Sequence, residues 1–352
     1  MRLYNTFFAA LLGVLLIVST AWAEVPQFQH VFVLVEENQS YKDVIGNVAD
    51  MPYLNSLAER YGLATSYFAD THPSINNYFY LTAGRRGTNP LFVGASADLY
   101  PFDVDGPNIA SILAAHGKTW KVYAESLPHK GYVGGNYGDY AKRHDPFAYF
   151  ETVRSSRAQR ADIVPFRQLQ TDLQQHSLPD YGFIVPNLYN DGHNDPKTHS
   201  GAACGDHTAL QRTDHWLRQN IQPLISSPDF RQSGLLVITF DEACDRDSRL
   251  RPHGPNEDGG GHVATILVSS RIAAATTSDR LFHHESVARL ALEALGVDTF
   301  PGLAANAPDM SVFFSRSRSS GNASASRGQP PERLKDSAVA RREAGSRHGH
   351  FR

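Results

Sequence analysis

Cysteine is almost absent from this chain: of 352 residues, two are cysteine, Cys204 and Cys244. There is no Cys-x-x-Cys pair and hence no thiolate cluster to hold zinc. The two can bridge, closing a loop worth about 4 kcal/mol in the chain-entropy picture, or stand as separate buried thiols. Gly-x-Ser-x-Gly is also missing, which excludes the serine-esterase elbow. After residue 24 no stretch is long and apolar enough to span a bilayer. No segment repeats elsewhere in the chain. An excess of positive charge is lacking too, once the ends are set aside. Of 33 Lys and Arg, nine lie beyond residue 315 and one before residue 24; of 36 Asp and Glu, three lie beyond 315. Residues 24–315 therefore hold 23 basic against 33 acidic side chains. That balance excludes nucleic acid as a partner of the body.

What is present divides the chain in three. Arg2, the apolar residues 7–18 and Ala21-Trp22-Ala23 follow the charged, apolar, small-x-small order of an export signal, too short to anchor as a span. The mature chain is expected to begin near Glu24 and to work in the periplasm or outside the cell. From Arg316 onward Ser, Arg, Gly, Ala and Pro dominate, so 316–352 is expected to be a disordered basic tail. The 292 residues from 24 to 315 suffice for one large domain.

Residues 29–35 form a near-continuous apolar run, as a strand buried on both faces of a parallel sheet requires. Runs at 119–124, 181–185, 235–240 and 263–268 predict further strands. Apolar spacings of three and four predict helices between them. One passes through Tyr53, Leu54, Leu57 and Tyr61, and another follows Asn108 as its cap. A third passes through Leu210, Thr213, Leu217, Ile221 and Leu224, and a last through Val287, Leu290, Ala291, Ala294 and Leu295. This alternation predicts an α/β fold with a mostly parallel sheet and helices on both faces. Residues 126–162, rich in Gly, Tyr and His, read as an insertion over the sheet edge. Its Tyr132, Tyr137 and Tyr140 are either a packed surface or substrate contacts.

Ligands of such sheets bind beyond the carboxyl ends of the strands. Three of those ends carry acids: Glu36-Glu37-Asn38, Asp191 with His193, and Asp241-Glu242. A fourth run, 64–69, leads into Asp70-Thr71-His72-Pro73-Ser74, where a helical pattern through Ile75, Tyr78, Phe79 and Thr82 begins. Ser74 reads as the N-cap of that helix. Free N–H groups and the positive helix end beside its hydroxyl make a cradle for phosphate. Oxygen donors with a few imidazoles suit a hard divalent cation, which would lower the pKa of a serine hydroxyl and neutralise a phosphoryl oxygen. His72 reads as a neighbour of this centre. His199, His207, His215, Asp206 and Asp245 carry no motif and read as ordinary side chains.

Val35-Glu36-Glu37-Asn38-Gln39-Ser40-Tyr41, His72-Pro73-Ser74-Ile75-Asn76-Asn77-Tyr78 with Leu81-Thr82-Ala83-Gly84, and Thr239-Phe240-Asp241-Glu242 resemble the phosphoesterase family of the alkaline phosphatase superfamily. That family includes secreted acid phosphatases and bacterial phospholipases C. The resemblance runs from about residue 28 to 300, and His283-His284-Glu285-Ser286 is similar to the family's C-terminal histidine motif. It implies an alkaline-phosphatase-like core and Ser74 as the nucleophile. It also implies that Asn77 is a phosphoryl-oxygen binder, and that Glu37, Asn38, Ser74, Asp241 and Glu242 are ligands of a divalent metal ion. Glu242 stands where relatives carry Asp or His, and Asn76 where they often carry Pro. Asp191, His193, His262 and His284 are left for a second metal, for phosphate binding or for protonating the leaving group.

The expected activity is hydrolysis of a small phosphate monoester through a phosphoserine, as in an acid phosphatase. The body lacks the large C-terminal domains of some relatives, which points the same way. A phospholipase C acting on diesters is the alternative. A periplasmic solute-binding protein, the non-enzymatic alternative, needs two similar lobes and no nucleophile.

Overall fold

The structure, a computed structural model, describes residues 24–87, 104–193, 204–244 and 259–314. The expected export signal and basic tail lie outside these residues, as do His199 and Asp245.

Eight strands form one sheet: β1 (His30–Glu36), β2 (Gly62–Ala64), β3 (Trp120–Ala124), β4 (Ile163–Pro165), β5 (Tyr181–Val185), β6 (Gly234–Phe240), β7 (Thr265–Val268) and β8 (Thr276–Ser278). Their order is β4-β3-β5-β1-β6-β7-β2-β8. Every neighbouring pair is parallel except β6 with β7 and β7 with β2. The mostly parallel sheet expected from the alternation is therefore what forms, with β7 as its one reversed strand. The central β1 and β6 are buried along nearly their whole length, which explains why both read as unbroken apolar runs.

The helices are α1 (Tyr41–Val44), α2 (Pro52–Arg60), α3 (Ser74–Ala83), α4 (Ile109–Ala115), α5 (Glu151–Arg154), α6 (Arg157–Arg160), α7 (Gln168–Gln174), α8 (His207–Ser226), α9 (Pro228–Ser233) and α10 (His284–Ala294). Asn108 caps α4 as expected: its side chain accepts from Ser111 N, and the Ser111 hydroxyl bonds back to Asn108 N. The 64–69 run forms no full strand. It makes single bridges at Tyr67 with Phe282 and at Phe68 with His262.

Helix α3 differs from its sequence pattern in an informative way. The spacing predicts one buried face, yet all ten residues are buried. A helix covered on every side lies inside the molecule. Gly84 ends α3 with φ +60, and a Cβ there would lie 2.2 Å from Pro301 O, so only glycine fits.

Cys204 and Cys244 are bridged. The bond ties the segment before α8 to the start of the connection that follows β6, where Cys244 N donates to the Ser40 hydroxyl oxygen at 3.3 Å. Closing a loop of 40 residues contributes about 4 kcal/mol in the chain-entropy picture.

Asp145, just after the turn Lys142–His144, is fully buried, and its Oδ1 has no hydrogen-bond partner. Burial raises its pKa to about 7, against the lowering pull of the Tyr140 hydroxyl, which donates to Oδ2 at 3.1 Å. The unfolded carboxyl ionises near 3.8. Between those two values the unfolded state sheds a proton that the fold retains, so stability falls as pH rises. The span corresponds to about 4 kcal/mol. Denaturant titrations of Asp145→Asn and the parent should agree near pH 4 and diverge in favour of the amide by pH 7.5. A difference that stays constant with pH would contradict this.

Candidate active site

Strand register builds the centre. β1 and β6 are parallel neighbours with Glu36 opposite Phe240, so the next residues, Glu37 and Asp241, leave the sheet side by side. Asp241 N donates to Glu36 O at 2.8 Å, and Glu37 N donates to Asp191 O at 2.7 Å, which ties in the loop after β5. Asn38 then turns with φ +54, a conformation asparagine tolerates. That turn points its N–H at Asp241 Oδ1 (3.0 Å) and its side-chain amide at Glu37 Oε2 (2.8 Å).

Ser74 arrives from a different direction. Pro73 is the N-cap, in extended backbone, and Ser74 is the first helical residue rather than the cap expected from the sequence. Its hydroxyl makes no capping bond. It donates instead toward Glu37 Oε2 at 3.1 Å, with Glu242 Oε1 at 3.5 Å. The serine oxygen and acids from two distant strand ends thus meet at one rim of the sheet.

Glu37 is the hub. The Tyr78 hydroxyl donates to its Oε1 at 2.9 Å, and His144 Nε2 lies 3.1 Å from the same oxygen. His193 Nδ1 lies 3.3 Å from Oε2 and 3.0 Å from Asn38 Nδ2. Burial would raise the Glu37 pKa, but the His144 charge and the His193 bond and charge outweigh it and hold the group ionised well below the usual carboxylate range. His193 shifts the other way: burial lowers its pKa, and Glu37 more than restores it.

The other acids are crowded. Burial, then the charges of Glu37 and Glu242, push Asp241 well up, and its Oδ2 is buried with no hydrogen-bond partner. Burial raises Glu242, against the bond from His72, whose Nδ1 is 3.0 Å from Oε2. Burial and the Glu37 charge raise Asp191 to about 7; its Oδ1 accepts from His193 N at 2.9 Å. Glu36, one residue before the hub, has neither carboxyl oxygen hydrogen-bonded, and burial raises it well above its ordinary value.

Among the described residues, no three His, Cys, Asp or Glu side chains are spaced to hold a metal ion by themselves. The expected donor set is different in kind, since it counts the Ser74 hydroxyl and the Asn38 amide. Buried carboxylates gathered round one hydroxyl, with an unpartnered oxygen on Asp241, are the surroundings a hard cation needs. The residues present fit the group.

Three expected site residues sit differently from their sequence reading. Asn77 accepts from Asp70 N and Thr71 N, each at 3.1 Å, and donates to Thr71 O (2.6 Å) and Glu242 Oε2 (3.2 Å). Both its amide hydrogens are engaged, so it holds the turn before Ser74 and steers Glu242. His284 has Nδ1 3.0 Å from the Tyr67 hydroxyl and Nε2 2.6 Å from Asp241 O. With both nitrogens occupied and no exposure it supports Asp241 from behind rather than meeting substrate. The His262 ring is stacked between Tyr41 (4.2 Å) and Phe68 (4.7 Å), with Nε2 3.1 Å from Thr65 O. Those contacts pack the ring between two aromatic side chains and hold Nε2 at a backbone carbonyl.

His144, Tyr78 and the Glu242 contact of His72 were not singled out by sequence. His144 stacks on Tyr78 at 5.5 Å and lies 3.6 Å from Asp191 Oδ2. Its one sequence signal is position, in Lys142-Arg143-His144-Asp145-Pro146 within the insertion. No periodicity marks it.

Fold and centre together define a class. A protein in the alkaline phosphatase superfamily from Vibrio parahaemolyticus superposes with a TM-score of 0.51, covering 79% of this chain and 69% of that one at 13% identity, a likeness of fold. Residues 47–297 match the sequence profile described as the Phosphoesterase family. The chain belongs to that family, hydrolases of phosphoric esters. Phosphatidylinositol-3-phosphatase of Mycobacterium tuberculosis is 28% identical over 304 residues, 84% of this chain and 86% of that protein. The probable acid phosphatase of Kluyveromyces lactis is 29% identical over 222 residues, 61% of this chain and 48% of that protein. The chain spans about half the length of the acid phosphatases it matches.

Proposed function

We propose that this protein is an exported phosphatase that hydrolyses phosphate monoesters through a phosphoserine at Ser74, with a divalent metal ion held by Glu37, Asn38, Ser74, Asp241 and Glu242. The observation that carries the reading is the Ser74 hydroxyl lying 3.1 Å from Glu37 Oε2 and 3.5 Å from Glu242 Oε1. The names of the relatives, phosphatases from a bacterium and from Kluyveromyces lactis, favour monoesters. The Cys204–Cys244 bridge suits an oxidising compartment. No helix of the described residues is long and apolar enough to cross a membrane.

The cation, when bound, lowers the serine pKa and offsets phosphoryl charge. The chain's own groups do the rest. Glu37 and Glu242 orient the Ser74 oxygen toward phosphorus, and the N-terminal N–H groups of α3 offer donors to the phosphoryl oxygens. Ser74 Oγ bonds to phosphorus as the ester P–O bond breaks. In this mechanism His72 and His193, whose side chains are 23% and 27% exposed, give the leaving alcohol its proton. Water then attacks the phosphoserine, releasing phosphate and restoring the hydroxyl.

A substrate panel tests this: 2-glycerophosphate, phosphatidylcholine and 4-nitrophenyl acetate, each with and without chelator. The expected result is hydrolysis of 2-glycerophosphate alone, abolished by chelation. Turnover of phosphatidylcholine in its place would make the protein a phospholipase C. Turnover of the acetate alone, indifferent to chelator, would end the phosphoesterase mechanism proposed for this site.

A further inference from the structure

The loop after β5 brings Asp191 and His193 to the centre, and its near end is held by a carboxylate from another strand. Glu125 follows directly on β3, the strand beside β5. Its Oε2 accepts from Asn187 N at 3.0 Å, and Asn190 Nδ2 lies 3.0 Å from each of its oxygens. Trp216 Nε1 of α8 donates to Oε1, also at 3.0 Å. A carboxylate has about four acceptor positions, so this one is filled, chiefly by a single loop.

Ser126 extends the grip. It is one of four non-glycine residues with positive φ among the described residues, at +59, and its hydroxyl accepts from Asn187 Nδ2 at 2.9 Å. Left-handed backbone costs a serine free energy, so such a turn persists where its surroundings impose it. Inside the loop, Asn187 Oδ1 accepts from Tyr189 N and Asn190 N, each at 3.1 Å. Asn187 O accepts from Asp191 N at 3.0 Å.

From there the contacts run without a gap to the nucleophile. Asp191 O accepts from Glu37 N at 2.7 Å, and Asp191 Oδ1 accepts from His193 N at 2.9 Å. His193 Nδ1 lies 3.3 Å from Glu37 Oε2, the oxygen to which the Ser74 hydroxyl donates. We infer that Glu125 is a positioning residue for the reaction: by fixing Asn187 and Asn190 it sets where His193 stands beside Glu37 and Ser74. A carboxylate is a stronger acceptor than a neutral group, and this one is spent on the two asparagines that shape the turn before Asp191. Misplacing a reacting group by about 1 Å can cost about 100-fold in rate, so a clamp outside the centre has leverage on it.

The inference rests on the monoester mechanism, in which His193 shares in protonating the leaving alcohol, and one set of kinetics separates the two. Values of kcat/KM are measured for 2-glycerophosphate, whose alkoxide needs that proton, and for 4-nitrophenyl phosphate, whose phenoxide leaves readily without it. The ratio of glycerol ester to aryl ester should fall about tenfold in Glu125→Ala. Glu125→Gln keeps the shape with one acceptor oxygen in place of two, so it should fold as the parent does and lower the ratio in the same direction. In a His193→Ala background, where the ratio is already low, Glu125→Gln should lower it no further. Trp216→Phe removes one bond to Glu125 and none to the loop, and should leave the ratio at the parent value. An unchanged ratio in Glu125→Gln, a fall of the same size in Trp216→Phe, or an equal further fall without His193 would overturn the positioning role while leaving the phosphatase intact. A parent that hydrolyses neither ester would overturn both.

Discussion

Ser74→Ala is expected to lower kcat on a phosphate monoester by at least about 10⁴-fold while leaving the protein folded. Removing the hydroxyl deletes the atom that bonds to phosphorus, and no other described side chain takes its hydrogen-bonded place between Glu37 and Glu242. The cost to the fold is small because the hydroxyl makes no capping bond to α3. Ser74→Thr or Ser74→Cys keeps a nucleophilic atom, so partial rescue by either would separate chemistry from packing. Steady-state kinetics beside thermal unfolding check both halves of the expectation. An alanine variant retaining a tenth of the parent rate would remove Ser74 from the chemistry.

Asp241→Asn should be inactive for another reason, and activity need not be the readout. In the metal-free protein Asp241 is a buried carboxyl pushed up by burial and by Glu37 and Glu242, with one oxygen unpartnered. Breaking up crowded, uncompensated acids relieves strain, so the metal-free amide should be at least as stable as the metal-free parent. Adding divalent metal should then raise the melting temperature of the parent, because binding to the native state alone stabilises it. The amide should need about 100-fold more metal for the same rise, or show none. Equal metal-induced shifts in the two proteins would place the cation elsewhere.

Much of this arrangement is legible in the sequence, because burial writes itself into composition. β1, β5 and β6 are buried strands and read as apolar runs, and once they are parallel neighbours their polar ends must converge on one rim. β4 and β8 are three residues each, too short to leave a period. Helix α3 misleads because Asn76 and Asn77 look like a wet face. Both are buried, their polar atoms bonded to Gly87 N and to the 70–71 turn. Polar groups satisfied inside the fold are indistinguishable in sequence from polar groups in water.

The histidines make the same point. His193, His262 and His284 carry equal weight in the sequence, and their partners separate them. His193 faces Glu37, His284 spends both nitrogens behind Asp241, and His262 lies between two aromatic rings. His144 has no sequence signal beyond its place in an irregular insertion, yet it lies against the hub carboxylate. Which imidazole reaches the centre is decided by tertiary contacts between segments far apart in the chain or folded back from a loop, and periodicity cannot carry that information.

The covalent role of Ser74 is open to a direct stereochemical measurement: hydrolysis, by the unmodified metal-loaded protein, of a phosphate monoester made chiral by oxygen isotopes. Two successive in-line displacements, onto Ser74 and then onto water, return phosphate with its configuration retained, and retention is the expected result. Inversion would mean that water attacks the ester in one step, and the serine at the heart of the carboxylate cluster would have no covalent part in the reaction.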